Sequence, residues 1–187
     1  MGKRERKILD HAEIERALQR IAHEIVEKNR GTKDVALVGI RTGGEGIAQR
    51  LKKLLEKIEG GRVPCGYMDI TMYRDDIFHT NTHPEVHKTS IDFSVEGRIV
   101  VLVDDVLFTG RSVRAAMDAV MDLGRPRRIQ LAVLIDRGHR ELPIRPDFVG
   151  RNIPTSRGDQ VNVFVGEKKG GDKAALVEGE DKGDADE

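Results

Sequence analysis

The feature that most constrains this chain is an apolar run that ends in two acids and then in a hydroxyl-rich turn, Val100-Val-Leu-Val-Asp-Asp-Val-Leu-Phe-Thr-Gly-Arg-Ser112. Arg98 to Val103 is the most strand-like run in the chain, because it is short, apolar and β-branched. Val113, Met117, Val120 and Met121 follow at helical spacing, so a helix is predicted from about Arg111 to Leu123 with those four turned inward. Two adjacent carboxylates at the end of a buried strand are costly unless water, a cation or ligand hydroxyls reach them. A pair of acids suits the 2′ and 3′ hydroxyls of a ribose, since each carboxylate can accept a hydrogen bond. Thr109-Gly-Arg-Ser112 then opens the helix with free N–H groups, two hydroxyls and the positive end of the helix dipole, which together make a phosphate site. Gly110 lets the backbone approach closely. Read so, the segment is a cradle for a ribose 5-phosphate. Taken as composition alone, it is equally a strand-to-helix turn with an acidic N-cap. A Walker A loop is excluded, because no Gly-x-x-x-x-Gly-Lys occurs.

The surrounding chain alternates in type. Asp10 is a plausible N-cap for a helix whose apolar positions are Ile14, Leu18, Ile21 and Ile25, with Gly31 as the stop. Arg16, Arg20 and His23 fall on its outer side. Val35–Ile40 reads as a buried strand and Gly43-Gly44 as a turn; Ile47, Leu51, Leu54 and Ile58 mark a second helix, closed by Gly60-Gly61. Gly66–Tyr73 reads as a strand and Arg74–Ser90 as a long polar excursion, a length that is usually functional or disordered. Ile129–Ile135 is a strand, residues 136–160 are rich in Gly, Pro and Arg, and Val161–Val165 alternates as a last strand. Strands alternating with helices predict an α/β fold with a mostly parallel twisted sheet and helices on both faces. Ligands in such folds sit at the carboxyl ends of the strands, here Arg41–Gly44 and Asp104–Ser112.

The bulk numbers fit one domain. The 187 residues are 38 % hydrophobic and 34 % charged, with 32 bases balancing 32 acids. Residues 166–187 hold eight of the acids and four lysines, which leaves 28 bases and 24 acids in residues 1–165, a mildly basic remainder. The reading is a folded domain over 1–165 and a disordered acidic tail over 166–187. No run approaches the ~20 apolar residues of a membrane span. The basic N-terminus leads into no apolar signal core, and the single Cys65 can form no internal disulfide. A cytoplasmic protein is expected. Cys65 has no obvious base beside it and reads as a core thiol. His79, His83 and His87 recur every four residues, but Pro84 interrupts the helix a metal site there would need, and a polar loop is the better reading.

The thirteen-residue segment Val100–Ser112 resembles the binding motif for 5-phosphoribosyl-1-pyrophosphate (PRPP) in type I phosphoribosyltransferases. With Phe108 where many such enzymes have a small residue, it is similar to one branch, the PyrR family of pyrimidine-operon regulators with uracil phosphoribosyltransferase activity. The stretches that carry the likeness are Arg20–Ile25, Leu37–Ile40, Asp69–Asp76, Gly124–Pro126, Asp136–Arg145 and Asp147–Ser156. The likeness covers almost all of residues 10–165; the tail beyond Val165 does not resemble the family.

The resemblance implies a type I phosphoribosyltransferase fold with a small hood, formed in part from 136–160. It implies that uracil and PRPP give UMP and pyrophosphate with Mg²⁺, held mainly through substrate. Asp104 and Asp105 then hold the ribose diol, and Thr109, Gly110 and Ser112 the 5-phosphate. Val106, Leu107, Phe108 and Arg111 complete that loop. Tyr73 and Arg74 lie on a loop expected to close over pyrophosphate, with Arg74 joining the two acids as a catalytic group. Arg137 is expected to face the uracil, and Val161 to read it through its backbone. Arg41, Thr42 and Gly43 form the pyrophosphate loop, which in the family usually reads Thr-Arg-Gly and here reads Thr42-Gly43-Gly44. An arginine there would give the leaving group a fixed charge. Gly43→Arg is therefore expected to raise turnover, with Arg41 or Arg74 compensating meanwhile. The resemblance also implies binding of a pyrimidine-operon mRNA leader in the presence of UMP or UTP, with Arg16, Arg20, His23, Arg140, Arg145 and Arg151 as the basic contacts, and a homodimer or larger assembly. An enzyme without RNA regulation and a regulator with weak catalysis remain the alternatives, as does a purine base.

Overall fold

The computed structural model describes residues 5–73, 89–166 and 171–179. Strands β1 (Glu5–Leu9), β2 (Val35–Ile40), β3 (Cys65–Met68), β4 (Ile99–Leu107), β5 (Arg128–Asp136), β6 (Phe148–Asn152), β7 (Gln160–Phe164) and β8 (Lys173–Val177) alternate with helices α1 (His11–Asn29), α2 (Gly43–Glu59) and α3 (Arg111–Asp122). Five strands form one parallel sheet in the order β3-β2-β4-β5-β6. The other three form a small antiparallel sheet in the order β1-β8-β7.

The central strand shows how the layers assemble. Successive side chains of a strand point to opposite faces. Val101 and Val103 of β4 pack with α1 and α2, among Ile14, Leu18, Ile25, Ile47 and Leu51. Val100 and Leu102 pack on the other face with Val113, Ala116 and Val120 of α3. Both faces of β4 are covered, which is why its sequence is a continuous apolar run rather than an alternating one.

The helices follow their end signals. Asp10 caps α1 in a reciprocal box: the Glu13 N–H donates to its carboxylate at 2.9 Å, and its own N–H donates to the Glu13 carboxylate at 3.0 Å. In α3 the buried positions are Val113, Ala115, Ala116, Ala119 and Val120; Met117 is partly buried, and Met121 is 52 % exposed rather than inward. In α2 the fully buried face is Ile47, Ala48, Leu51 and Leu55, with Leu54 and Ile58 packed at its margin.

Several sequence expectations are corrected. Gly43 and Gly44 are the first turn of α2, not a turn before it. The strand expected over Gly66–Tyr73 stops at Met68 and gives way to a 3₁₀ turn at Thr71–Tyr73. Strand β6, inside the Gly, Pro and Arg-rich stretch, joins the main sheet beside β5. The small sheet is built from β1, β7 and β8, which lie almost wholly outside 136–160. The disordered tail expected from 166 does not hold over Lys173–Val177, where β8 pairs with both β1 and β7.

A buried carboxylate explains why the tail is tied down. Asp172 accepts from Arg50 at 2.5 Å, from the Gly166 N–H at 2.9 Å and pairs with His11 Nδ1 at 2.8 Å. Arg50 also pairs with Glu15 at 2.7 Å. Donor atoms of His11, Glu15 and Asp172 lie within 4.8 Å of one another, a separation that would suit a metal. Arg50 already supplies the positive charge there, so the group is an ion-pair cluster binding β8 to α1 and α2. No helix among the described residues is long and apolar enough to cross a membrane.

Candidate active site

Strand β4 does not stop before its acids, as the sequence suggested, but runs through them to Leu107. Asp104 is buried, and the Asp105 N–H donates to its Oδ1 at 3.0 Å; the Val106 N–H donates to Asp105 Oδ1 at 2.8 Å. Burial pushes the Asp105 carboxyl above the usual carboxylate range, against the opposing bonds from Asp104 and the Val106 amide.

The start of α2 closes on these acids. A Cβ at Gly43 would lie 2.2–2.4 Å from the carboxyl atoms of Asp105, and one at Gly44 would lie 2.0 Å from the Val103 carbonyl oxygen. The two glycines let a helix N-terminus lie against the end of β4. A side chain at 43, as in Gly43→Arg, would have to displace the Asp105 carboxyl as well as add a charge. Arg41 stands at the same mouth. Its Nε is buried without a hydrogen-bond partner among the described residues, 3.6 Å from Glu45, and its guanidinium sits 5.8 Å from the Tyr67 ring centre. The Arg41–Thr42 peptide is cis.

Thr109 to Ser112 form the turn into α3. Gly110 has φ 93°, a left-handed conformation that glycine adopts at no steric cost. The Arg111 N–H donates to Thr109 Oγ1 at 3.3 Å. A cavity of about 330 Å³ opens here, lined by Asp104, Val106 to Val113 and Glu141. The positive end of α3 points at it.

The loop after β5 is fastened over this turn. Arg140 donates to the carbonyls of Phe108 at 2.9 Å and Ile144 at 3.0 Å and pairs with Asp136 at 2.5 Å. Arg137, expected to face a base, is almost wholly occupied otherwise. It stacks on the Phe108 ring at 4.0 Å and donates to Thr155 Oγ1 and to the carbonyls of Asp159 and Ser156 at 2.7–3.1 Å. It fixes the 155–159 turn that leads into β7. Val161 is half-buried in β7, opposite Leu176 of β8. The Tyr73 hydroxyl donates to Asp122 at 2.8 Å. Arg74, His79, His83 and His87 lie outside the described residues. Cys65 is half-buried, 4.0 Å from the Tyr67 hydroxyl, and burial pushes its thiol up, in keeping with an unreactive thiol.

The six basic residues divide. Arg20 donates to the carbonyls of Val149 and Gly150 at 3.0 and 2.6 Å, joining α1 to β6. Arg151 donates to the Ile8 carbonyl at 3.1 Å and pairs with Glu13 at 3.3 Å. With Arg140 these are engaged in holding the fold. Arg16, His23 and Arg145 are exposed, and no hydrogen bond or ion pair among the described residues fixes them. Sequence reading missed Arg50, Asp172, Glu141 and Arg157, whose roles depend on partners distant in the chain.

Known proteins agree with this geometry. The chain belongs to the phosphoribosyl transferase domain family, whose pattern it matches over residues 5–167. Within it, the chain belongs to the PyrR proteins. It is 64 % identical to the bifunctional protein PyrR of Geobacter sp. (strain M21) over 156 residues, 83 % of this chain and 88 % of that one. It is 55 % identical to that of Pelotomaculum thermopropionicum over 178 residues, 95 % of this chain and 98 % of the other. An alignment of that length passes Val165, so the likeness extends into the segment the sequence reading had set apart. Among solved structures, a hypoxanthine-guanine phosphoribosyltransferase from Bacillus anthracis superposes with a TM-score of 0.68 at 16 % identity, covering 95 % of this chain and 99 % of that one. A hypoxanthine phosphoribosyltransferase from Trypanosoma cruzi gives 0.70 at 18 %, covering 95 % and 93 %. At such identities these two share the fold.

Proposed function

We propose that this chain transfers the phosphoribosyl group of PRPP to uracil, giving UMP and pyrophosphate, and regulates a pyrimidine operon by binding its mRNA leader. The observation that carries the enzyme reading is the juxtaposition of Asp104 and Asp105 with the Thr109–Ser112 turn at the end of β4. One accepts ribose hydroxyls and the other cradles the 5-phosphate. N1 of uracil bonds to C1 of the ribose as the bond from C1 to pyrophosphate breaks, and the N1 proton leaves to solvent. The transition state is a cationic ribose, so positioning and charge matter more than a strong base. Asp104 and Asp105 stabilise that cation electrostatically while they orient the ring. Arg41 and the N-terminus of α2 face the departing pyrophosphate. Adjacent carboxylates at an open mouth also suit Mg²⁺, which would supply charge neutralisation for pyrophosphate. Arg137 supports the base side by fixing the 155–159 turn, and the main chain near Val161 reads the base.

A turnover assay with uracil, hypoxanthine and guanine tests the reading. Uracil is expected to be the preferred acceptor; preference for either purine overturns it. The regulatory role is supported by PyrR membership and by exposed Arg16, His23 and Arg145 on a mildly basic domain. A homodimer or larger assembly is part of the same reading, checked by light scattering.

A further inference from the structure

A carboxylate lines the cavity of the phosphate turn, where an anionic ligand would not invite one. Glu141 reaches it from the loop after β5. Its N–H donates to the Thr109 carbonyl at 2.9 Å, which fixes its main chain to the turn. Its two oxygens serve two cations: Oε2 takes Arg111 Nε at 2.7 Å, and Oε1 takes Arg157 Nη2 at 2.9 Å. Arg111 begins α3 inside the phosphate turn. Arg157 belongs to the 155–159 turn that Arg137 holds beneath β7. One side chain therefore ties the phosphate side of the site to the base side.

We propose that Glu141 is an affinity-setting residue for phosphorylated ligands: its carboxylate stands in for a phosphoryl group on Arg111, and a ligand 5-phosphate must displace it. The inference rests on reading Thr109–Ser112 as the 5-phosphate site. A phosphate dianion carries more charge than a carboxylate and pairs with guanidinium in two-pronged fashion, so it takes Arg111. The N-terminal dipole of α3 adds to that preference. Glu141 then keeps Arg157 alone, and the 155–159 turn feels the exchange. Ligands without phosphate leave the carboxylate in place. Glu141 thus lowers the affinity of the site for all phosphate esters and links their arrival to the turn beside the base.

Calorimetry with UMP, uridine and inorganic phosphate tests this on the full chain. Glu141→Gln removes a negative charge beside the site, so UMP and phosphate should bind about three- to tenfold more tightly, while uridine is unchanged. The KM for PRPP should fall by a similar factor with the KM for uracil constant. A second measurement needs no variant: UMP, but not uridine, should alter amide exchange across residues 155–159 of the unaltered protein. If Glu141→Gln leaves UMP affinity unchanged or weaker, or if UMP and uridine act alike on that turn, the role of Glu141 is overturned. The phosphate site still stands in that case, provided the unaltered protein prefers UMP to uridine. If it shows no such preference, the phosphate reading itself has failed.

Discussion

Gly43 and Asp105 behave as one unit at the residue scale. The space a Cβ would need at 43 is filled by the Asp105 carboxyl at 2.2–2.4 Å. Gly43→Ala should therefore lower kcat/KM with uracil and PRPP at least tenfold, about 1.4 kcal/mol, with helical content unchanged by circular dichroism. Gly43→Arg should do no better, and a gain in turnover from it would show that Asp105 moves freely. Asp105→Asn carries a second expectation. Burial raises the folded-state value of this carboxyl above its ordinary 3.8, so the fold disfavours the ionised form. Its favourable contribution to stability is present below 3.8 and is lost as pH rises through the raised value. At pH 7 the asparagine variant should thus melt higher than the parent while losing at least tenfold in kcat/KM; the melting difference should vanish in acid below 3.8. The two acids were legible in the sequence, because paired carboxylates at the end of an apolar strand are costly and conspicuous. What a side chain at 43 would meet was not legible, because it lies across the fold in a residue 62 positions further along.

At the scale of elements, what the sequence disclosed depended on periodicity. Helix α1 announced itself by a cap and a clean apolar stripe, and β2, β4 and β5 by short, largely apolar runs rich in Val, Ile and Leu. Strand β8 did not, since Lys-Ala-Ala-Leu-Val is short, has weak strand propensity and sits among glycines and charges. Its stability comes from partners that composition cannot show: β1, β7 and the buried Asp172. Burial alone would raise the Asp172 carboxyl, but bonds from Arg50, Gly166 and His11 bring it below its ordinary 3.8. A lowered folded-state value gives stability that is present above 3.8 and lost as pH falls through the folded value. Asp172→Asn should accordingly cost about 1–3 kcal/mol at neutral pH and speed amide exchange in Lys173–Val177 more than in β4. Equal protection of β8 in variant and parent would show that strand pairing alone holds the tail. Strand β6 was missed for a related reason: Phe148-Val149-Gly150 is brief, and only its place beside β5 makes it a strand.

For the whole molecule, the division among basic residues sets the expectation for RNA. A residue already holding the fold has fewer N–H donors to offer a phosphate than one free in solvent. Arg16→Ala and Arg145→Ala should each shallow the log–log salt dependence of leader-RNA binding by about 0.7 to 0.9, with the melting temperature unchanged. Arg20→Ala and Arg140→Ala should lower the melting temperature, since they free carbonyls of Val149, Gly150 and Phe108. The opposite pattern would reassign the contact surface. The architecture of the small sheet bears on how the molecule comes to exist at all. Its middle strand, β8, pairs with both β1 and β7, and its register sets Glu5 against Val177. Pairings between such remote segments carry the largest loop-closure entropy and form slowly. In the parallel sheet the paired positions lie nearer in sequence, the widest separation being that of Val35 from Ile99. The sheet that carries Asp104 and Asp105 is therefore expected to form early in folding, and the closure of β1 onto β8 to come last.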